Sequence, residues 1–273
     1  MIFMDENAEL TPQEQIPKKN VQLLKFERIL NQVLNHPYVS LQTKDKRKEF
    51  RDIDISVKDY LKQLGITESA VIPIGSVAVG MAIDKSDLDG TIFYNGQLGQ
   101  QIESQKLTGL NLPPDIKMFN ITDLLQDDES FKRKINIALA VKRPTTMANI
   151  AMIFFPSLNE MTNNAERELV HSWRKATLEK IVKIYPNNYK KVWDLVTTYV
   201  DINLIHYENL RSSGDDNKRQ DRVQKMLDEK ITERFPNDER SQQRAYTYIQ
   251  KERALFAYPP IEDMLYAYEI NLK

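Results

Sequence analysis

A chain of 273 residues that is 41% hydrophobic and 28% charged has the composition of a folded globular protein, which excludes a disordered or fibrous one. Lysine and arginine number 38 against 39 aspartate and glutamate, so no global positive field attracts a phosphate backbone, and a long nucleic acid is disfavoured as a partner. The absence of cysteine removes disulfides, thiolate metal sites and cysteine nucleophiles.

Residues 1–17 read as a flexible, polar lead-in. The acids Asp5, Glu6, Glu9 and Glu14 replace the basic start and apolar block of a secretory signal. No run approaches the roughly 18 apolar residues of a membrane span. The expectation is a cytoplasmic protein with no membrane partner, an unconventional export route being left open. From Val21 the spacing of Leu23, Leu24, Phe26, Leu30, Val33 and Leu34 predicts a helix that His36-Pro37 stops. A second helix is expected over Thr43–Leu64, with Phe50, Ile53, Val57, Leu61 and Leu64 as its apolar stripe and Gly65 as its cap. The charge run from Lys44 to Lys48 reads as its solvated face.

Glycine then becomes frequent: Gly65, Gly75, Gly80, Gly90, Gly96, Gly99 and Gly109 are seven of the eight in the chain, which concentrates tight turns here. Strands are expected at Ala70–Ile74, Thr91–Tyr94 and Ile116–Ile121. Gln97–Leu107 is a candidate bridging helix, Leu124–Lys142 a longer one, and Ile150–Phe155 a fourth strand. From Glu166 onward only helix signals occur, broken at Tyr185–Asn188, Ser212–Asp216, Pro236 and Pro259-Pro260. The trace suggests a core over residues 18–160, including two N-terminal helices, and a helical domain over 161–273.

The chemistry sits in Ile74-Gly75-Ser76-Val77-Ala78-Val79-Gly80 and in Ser86-Asp87-Leu88-Asp89. A glycine turn that opens a helix directly after a strand leaves amides and the Ser76 hydroxyl facing outward, a setting that suits phosphate. Asp87 and Asp89, two apart in an extended segment, put their carboxylates on one face while Leu88 points to the core. Two adjacent carboxylates repel unless a cation lies between them, and magnesium is a hard ion that takes such oxygens.

Gly-Ser, a helix, and Ser-Asp-Leu-Asp with 10 residues between Ser76 and Asp87 resemble the signature of the DNA-polymerase-β nucleotidyltransferase superfamily. The resemblance is specific over Val71–Phe93. It implies an α+β fold, a small mixed sheet flanked by helices, with N-terminal helices and a C-terminal helical region. It also implies Mg²⁺ or Mn²⁺ held by Asp87, Asp89 and a third acid, with a nucleoside triphosphate as donor. Asp115 matches the third acid. In larger members that acid would fall on the strand with Asn149 and Ala151, neither acidic, which leaves a catalytically degenerate nucleotide-binding module as an alternative. Gly75 and Ser76 would hold the β- and γ-phosphates. Lys117, on the face of Asp115 under strand alternation, ranks first among Lys85, Lys117, Arg133, Lys142 and Arg143 as a triphosphate contact. The acceptor stays open among a small molecule, a protein hydroxyl and a tRNA end.

A third reading starts from Asp87-Leu88-Asp89-Gly90-Thr91-Ile92, which resembles the nucleophile motif of haloacid-dehalogenase-type phosphatases. That motif requires its first aspartate to end a buried parallel strand. His36, His171 and His206 lack companion ligands at metal spacing and read as packed or surface residues. Trp173, Trp193, Tyr185, Tyr189 and Tyr199 read as core.

Overall fold

The computed structural model describes residues 41–78, 80, 82, 84–96, 110, 112–113, 115–141, 148–155, 157, 159–160, 162–205, 228–229, 231–254 and 260–270. The expected lead-in, the helix from Val21, the bridging helix at Gln97–Leu107 and the break at Ser212–Asp216 lie outside these residues, as do His36 and His206.

Helix α1 (Leu41–Gln63) is built on the expected stripe. Phe50, Val57 and Leu61 are fully buried, Ile53 packs partly, and Leu64 falls beyond the helix end and is exposed. The charge run divides: Lys44, Asp45 and Lys48 face solvent, but Arg47 is buried. Strand β1 (Glu68–Pro73) follows, then a single helical turn, α2 (Gly75–Ala78), and strand β2 (Gly90–Asn95). Strand β3 (Ile116–Asn120) completes a mixed three-stranded sheet in the order β1-β2-β3. β1 and β2 are antiparallel with Pro73 opposite Gly90, whereas β2 and β3 are parallel with Gly90 opposite Ile116.

Alternation along the strands sends side chains to opposite faces. Val71, Ile92 and Tyr94 join Phe50, Val57 and Leu61 in the cluster beneath α1. Ala70, Ile72 and Phe93 face a larger cluster that includes Phe131, Trp173, Leu178, Val192 and Leu265. Apolar layers thus cover both faces of the sheet, with Lys117 of β3 left exposed.

The expected single helix over Leu124–Lys142 is two, α3 (Ile121–Gln126) and α4 (Asp128–Val141). Asp127 separates them in an extended conformation, and its carboxylate accepts the Ser130 N–H at 3.0 Å, so a side-chain cap competes with continuous helix. The expected fourth strand is also helical, a short α5 (Ala148–Ala151) followed by a 3-10 turn over Met152–Phe154. Residues 150–155 are all buried, and a short all-apolar run carries no periodicity to separate strand from buried helix.

Helices α6 (Asn164–Ile184) and α7 (Tyr189–Ile205) cover the second face. Asn163 caps α6 by accepting from Ala165 and Glu166 N–H groups. Trp173 and Trp193 are core residues, set 6.4 Å from the Phe93 ring and 5.1 Å from the Phe154 ring. Lys180 crosses from α6 to the α3–α4 junction, pairing with Asp128 at 2.7 Å and donating to the Leu125 carbonyl. Helices α8 (Glu239–Ala254) and α9 (Ile261–Ala267) follow, with Ile261, Met264 and Leu265 joining the larger cluster. Among the described residues no helix is long and apolar enough to cross a membrane.

Candidate active site

Register alone gathers the motif residues. Asp87 and Asp89 immediately precede β2, Asp115 immediately precedes β3, and these parallel strands begin side by side. Antiparallel β1 ends at the same place, so the Gly75-Ser76 turn that follows it shares one sheet end with all three acids. Ile74 N–H donates to the Asp89 carbonyl at 2.8 Å, tying the turn's entry to the acid segment. Asp87 and Asp115 are exposed, Asp89 is half-buried, and Leu88 packs on the cluster under α1, as the alternation of the motif demands.

Gly75 has φ +62°, the left-handed conformation in which a Cβ would strain the turn. The single turn it opens lies wholly within the fold. Ser76 is 6% exposed, so its hydroxyl does not face outward as the sequence suggests. Gly90 is a glycine for a different reason. A Cβ there would lie 2.7 Å from Cε1 of the buried Phe50 ring and 3.2 Å from the Ile72 carbonyl oxygen. The strand start must stay bare for α1 to close over it. This explains a glycine directly after the second acid without phosphatase chemistry, and Asp87 stands before a strand where the phosphatase motif needs it to end one.

Lys117 is exposed on β3 opposite Thr91, two positions beyond Asp115. Arg133 lines an open cavity of about 730 Å³ on α4 with Asp127 and Lys132, and no motif residue contributes to that cavity. Lys142, Arg143 and the side chain of Asn149 fall outside the described residues, and Asn149 itself lies on helix α5 where a strand was expected. The oxygen donors of Asp87, Asp89 and Asp115 suit a hard cation. Even so, among the described residues no three His, Cys, Asp or Glu side chains stand close enough together to hold one ion, so the acids share an edge without converging on a point.

Sequence reasoning missed two buried polar groups. In one, Lys58 of α1 pairs with Asp54 at 2.7 Å and with Glu166 of α6 at 2.6 Å, while Asn159 donates to Asp54 and Ser157 donates to Glu166. Burial raises the Asp54 carboxyl to about 6 against the hydrogen bond from Lys58 that lowers it, and Oδ1 of Asp54 has no hydrogen-bond partner among the described residues. Burial also works to lower the Lys58 ammonium, but its two carboxylate partners outweigh that and raise it.

In the other, fully buried Glu160 and Arg174 form an ion pair. Arg174 also donates to the Ile153 carbonyl at 2.9 Å and to the Phe155 carbonyl at 2.8 Å. Burial pushes the Glu160 carboxyl up, yet Arg174 and His171, whose Nε2 lies 3.2 Å away, hold it below its ordinary value. His171 is thus a packed residue, its ring edge-on to Tyr268. The only available signal was the charges themselves within apolar patterns. Comparison of the chain with protein-family profiles, with curated proteins and with solved structures finds no match.

Proposed function

We propose that the chain is a metal-dependent nucleotidyltransferase of the polymerase-β type, moving a nucleoside monophosphate from a triphosphate to an acceptor hydroxyl. The observation that carries this reading is the shared sheet end: the Gly75-Ser76 turn, the Asp87-Leu88-Asp89 segment and Asp115 arrive there from three adjacent strands. Asp87 and Asp89 would hold magnesium or manganese, which supplies charge neutralisation at the triphosphate and acidifies a bound hydroxyl. Asp115 completes the acid set or takes the acceptor proton. The acceptor oxygen bonds to the α-phosphorus, the bond to the bridging oxygen breaks, and pyrophosphate leaves with the displaced electron pair. Amides of the Gly75-Ser76 turn and the Lys117 ammonium bind the departing phosphates. Helices α6, α7 and α9 of the C-terminal region pack on the far face of the sheet, and this region is the part suited to choosing the acceptor.

One observation favours a second reading, a nucleotide-binding module of the same fold without turnover. The three acids do not converge among the described residues, and a site that has lost its third ligand would look this way.

Thermal stability measured with ATP, GTP, CTP and UTP, with and without Mg²⁺ or Mn²⁺, tests the triphosphate site in wild type and in the Asp87→Asn, Asp89→Asn double variant. The expected result is a metal-dependent rise in melting temperature, largest for one nucleotide and lost in the variant. Release of pyrophosphate then separates a transferase from the binding module. No shift with any nucleotide, in folded protein, would count against both.

A further inference from the structure

We propose that Arg47, assisted by Thr43, is the positioning residue that fixes the Gly75-Ser76 turn. The inference rests on the transferase reading for its catalytic meaning, while the geometry stands apart from it. Helix α2 is one turn of four residues, too short to persist alone, and its terminal carbonyls lack intrahelical partners. Helix α1 supplies partners for two of them. Arg47 Nε donates to the Val77 carbonyl at 3.3 Å and Nη2 donates to the Ala78 carbonyl at 3.1 Å. Thr43 Oγ1, fully buried, accepts the Ala82 N–H at 2.8 Å.

A planar guanidinium spans two successive carbonyls in a way that a lysine ammonium does not, and a positive charge suits the carbonyl end of a helix. The segment is thereby pinned at both ends, at Ile74 by the Asp89 carbonyl and at Val77–Ala82 by α1. Amides that receive phosphate act through fixed placement, since a small displacement forfeits the contact. Arg47 itself is 8% exposed and donates to two carbonyls of the turn, so its role runs through α2. Burial, with help from neighbouring Arg51, lowers its guanidinium to about 10, which leaves it charged at neutral pH.

The test uses the full chain as wild type, Arg47→Met, Arg47→Lys and Thr43→Val, with Asp54→Asn as a control that disturbs another buried contact of α1. Amide hydrogen exchange over residues 75–82 and titration with each of the four triphosphates plus Mg²⁺ are measured below every melting point. The Arg47→Met chain is expected to exchange faster there and to bind its preferred triphosphate more weakly, each by about tenfold or more, the scale of a lost charge-assisted hydrogen bond. Arg47→Lys should fall between, and the Asp54→Asn control should match wild type in both readouts.

Unchanged exchange over 75–82 would overturn the clamp whatever the nucleotides do. Faster exchange with wild-type affinity would overturn the positioning role. A wild-type chain that binds no triphosphate would sink the transferase reading and the catalytic meaning of Arg47 together, a result distinct from either. Should Arg47→Met not fold, Arg47→Lys and Thr43→Val carry the same two decisions.

Discussion

Carboxylates are handled in two opposite ways in this molecule. Asp54, Glu160 and Glu166 are 3%, 0% and 4% exposed, and each meets a cation from the chain itself, Lys58 or Arg174. Asp87 and Asp115 stand exposed, with Asp89 half-buried, at the sheet end that the buried Gly75-Ser76 turn shares. Burying a charge demands an internal partner, and the inner acids have theirs. Asp87 and Asp115, exposed at the sheet end, stay hydrated and require no such internal cation. The inner set joins the 3-10 turn and α6 to α1, and the outer set is the one to which the transferase reading assigns chemistry.

The largest effect should come from breaking the inner set. Arg174→Met leaves Glu160 buried with, among the described residues, His171 and the Ser157 N–H as the remaining partners of its side chain, and a buried charge stripped of its main partner costs about 3–5 kcal/mol. Urea unfolding should show that loss, and Glu160→Leu added to Arg174→Met should restore much of it, because the pair removed together leaves no orphan charge. Metal-dependent nucleotide binding should persist in any of these chains that folds. Loss of binding without loss of stability would erase the distinction between the two sets.

What the sequence made legible follows the same division. The three strands, the stripe of α1 and the acid motif could be read because period-two alternation, helical spacing and short turn signals are local. The split at Asp127 rests on a local cap to the Ser130 N–H that the apolar spacing across it masked, whereas the helical fate of Ile150–Phe155 could not be read because complete burial is decided by tertiary context. The inner set is less legible still. Lys58 and Glu166 are 108 positions apart, and nothing local to either announces the other. Arg47 lies in a run of charges of which Lys44, Asp45 and Lys48 face solvent, so its turn toward Val77 and Ala78 was hidden by its neighbours. The outer set carried its spacing in plain view, but its convergence on an ion did not come with the spacing.

A smaller effect is expected from Asp54. Its carboxyl sits at about 6 in the fold against 3.8 ordinarily, because burial opposes ionisation more than Lys58 and Asn159 favour it, while Glu166 opposes it further. The folded state therefore binds the proton more tightly than the unfolded chain does. The ionisation penalty is absent below the unfolded value, grows as pH rises between about 4 and 6, and is fully present above. At ~1.4 kcal/mol per unit, Asp54 should lower stability by roughly 2–3 kcal/mol across that window. Subtracting the Asp54→Asn unfolding curve from wild type should isolate a fall of that sign. A rise with pH would mean that Lys58 overcompensates the burial.

The outer acids should do least to stability, and that is where the comparison is sharpest. Asp87, Asp89 and Asp115 share one sheet end, so in the absence of a divalent ion their charges repel weakly through solvent, an interaction that salt screens. The Asp87→Asn, Asp89→Asn double variant should unfold in urea at or slightly above the wild-type midpoint at low salt, and the difference should vanish at high salt. Adding Mg²⁺ should then stabilise wild type alone, since only wild type retains the paired carboxylates. A loss approaching that of Arg174→Met would place these acids in the same structural class as Glu160. An unchanged midpoint together with a magnesium response confined to wild type would mark them as acids kept at the edge for an ion that the fold does not need in order to stand.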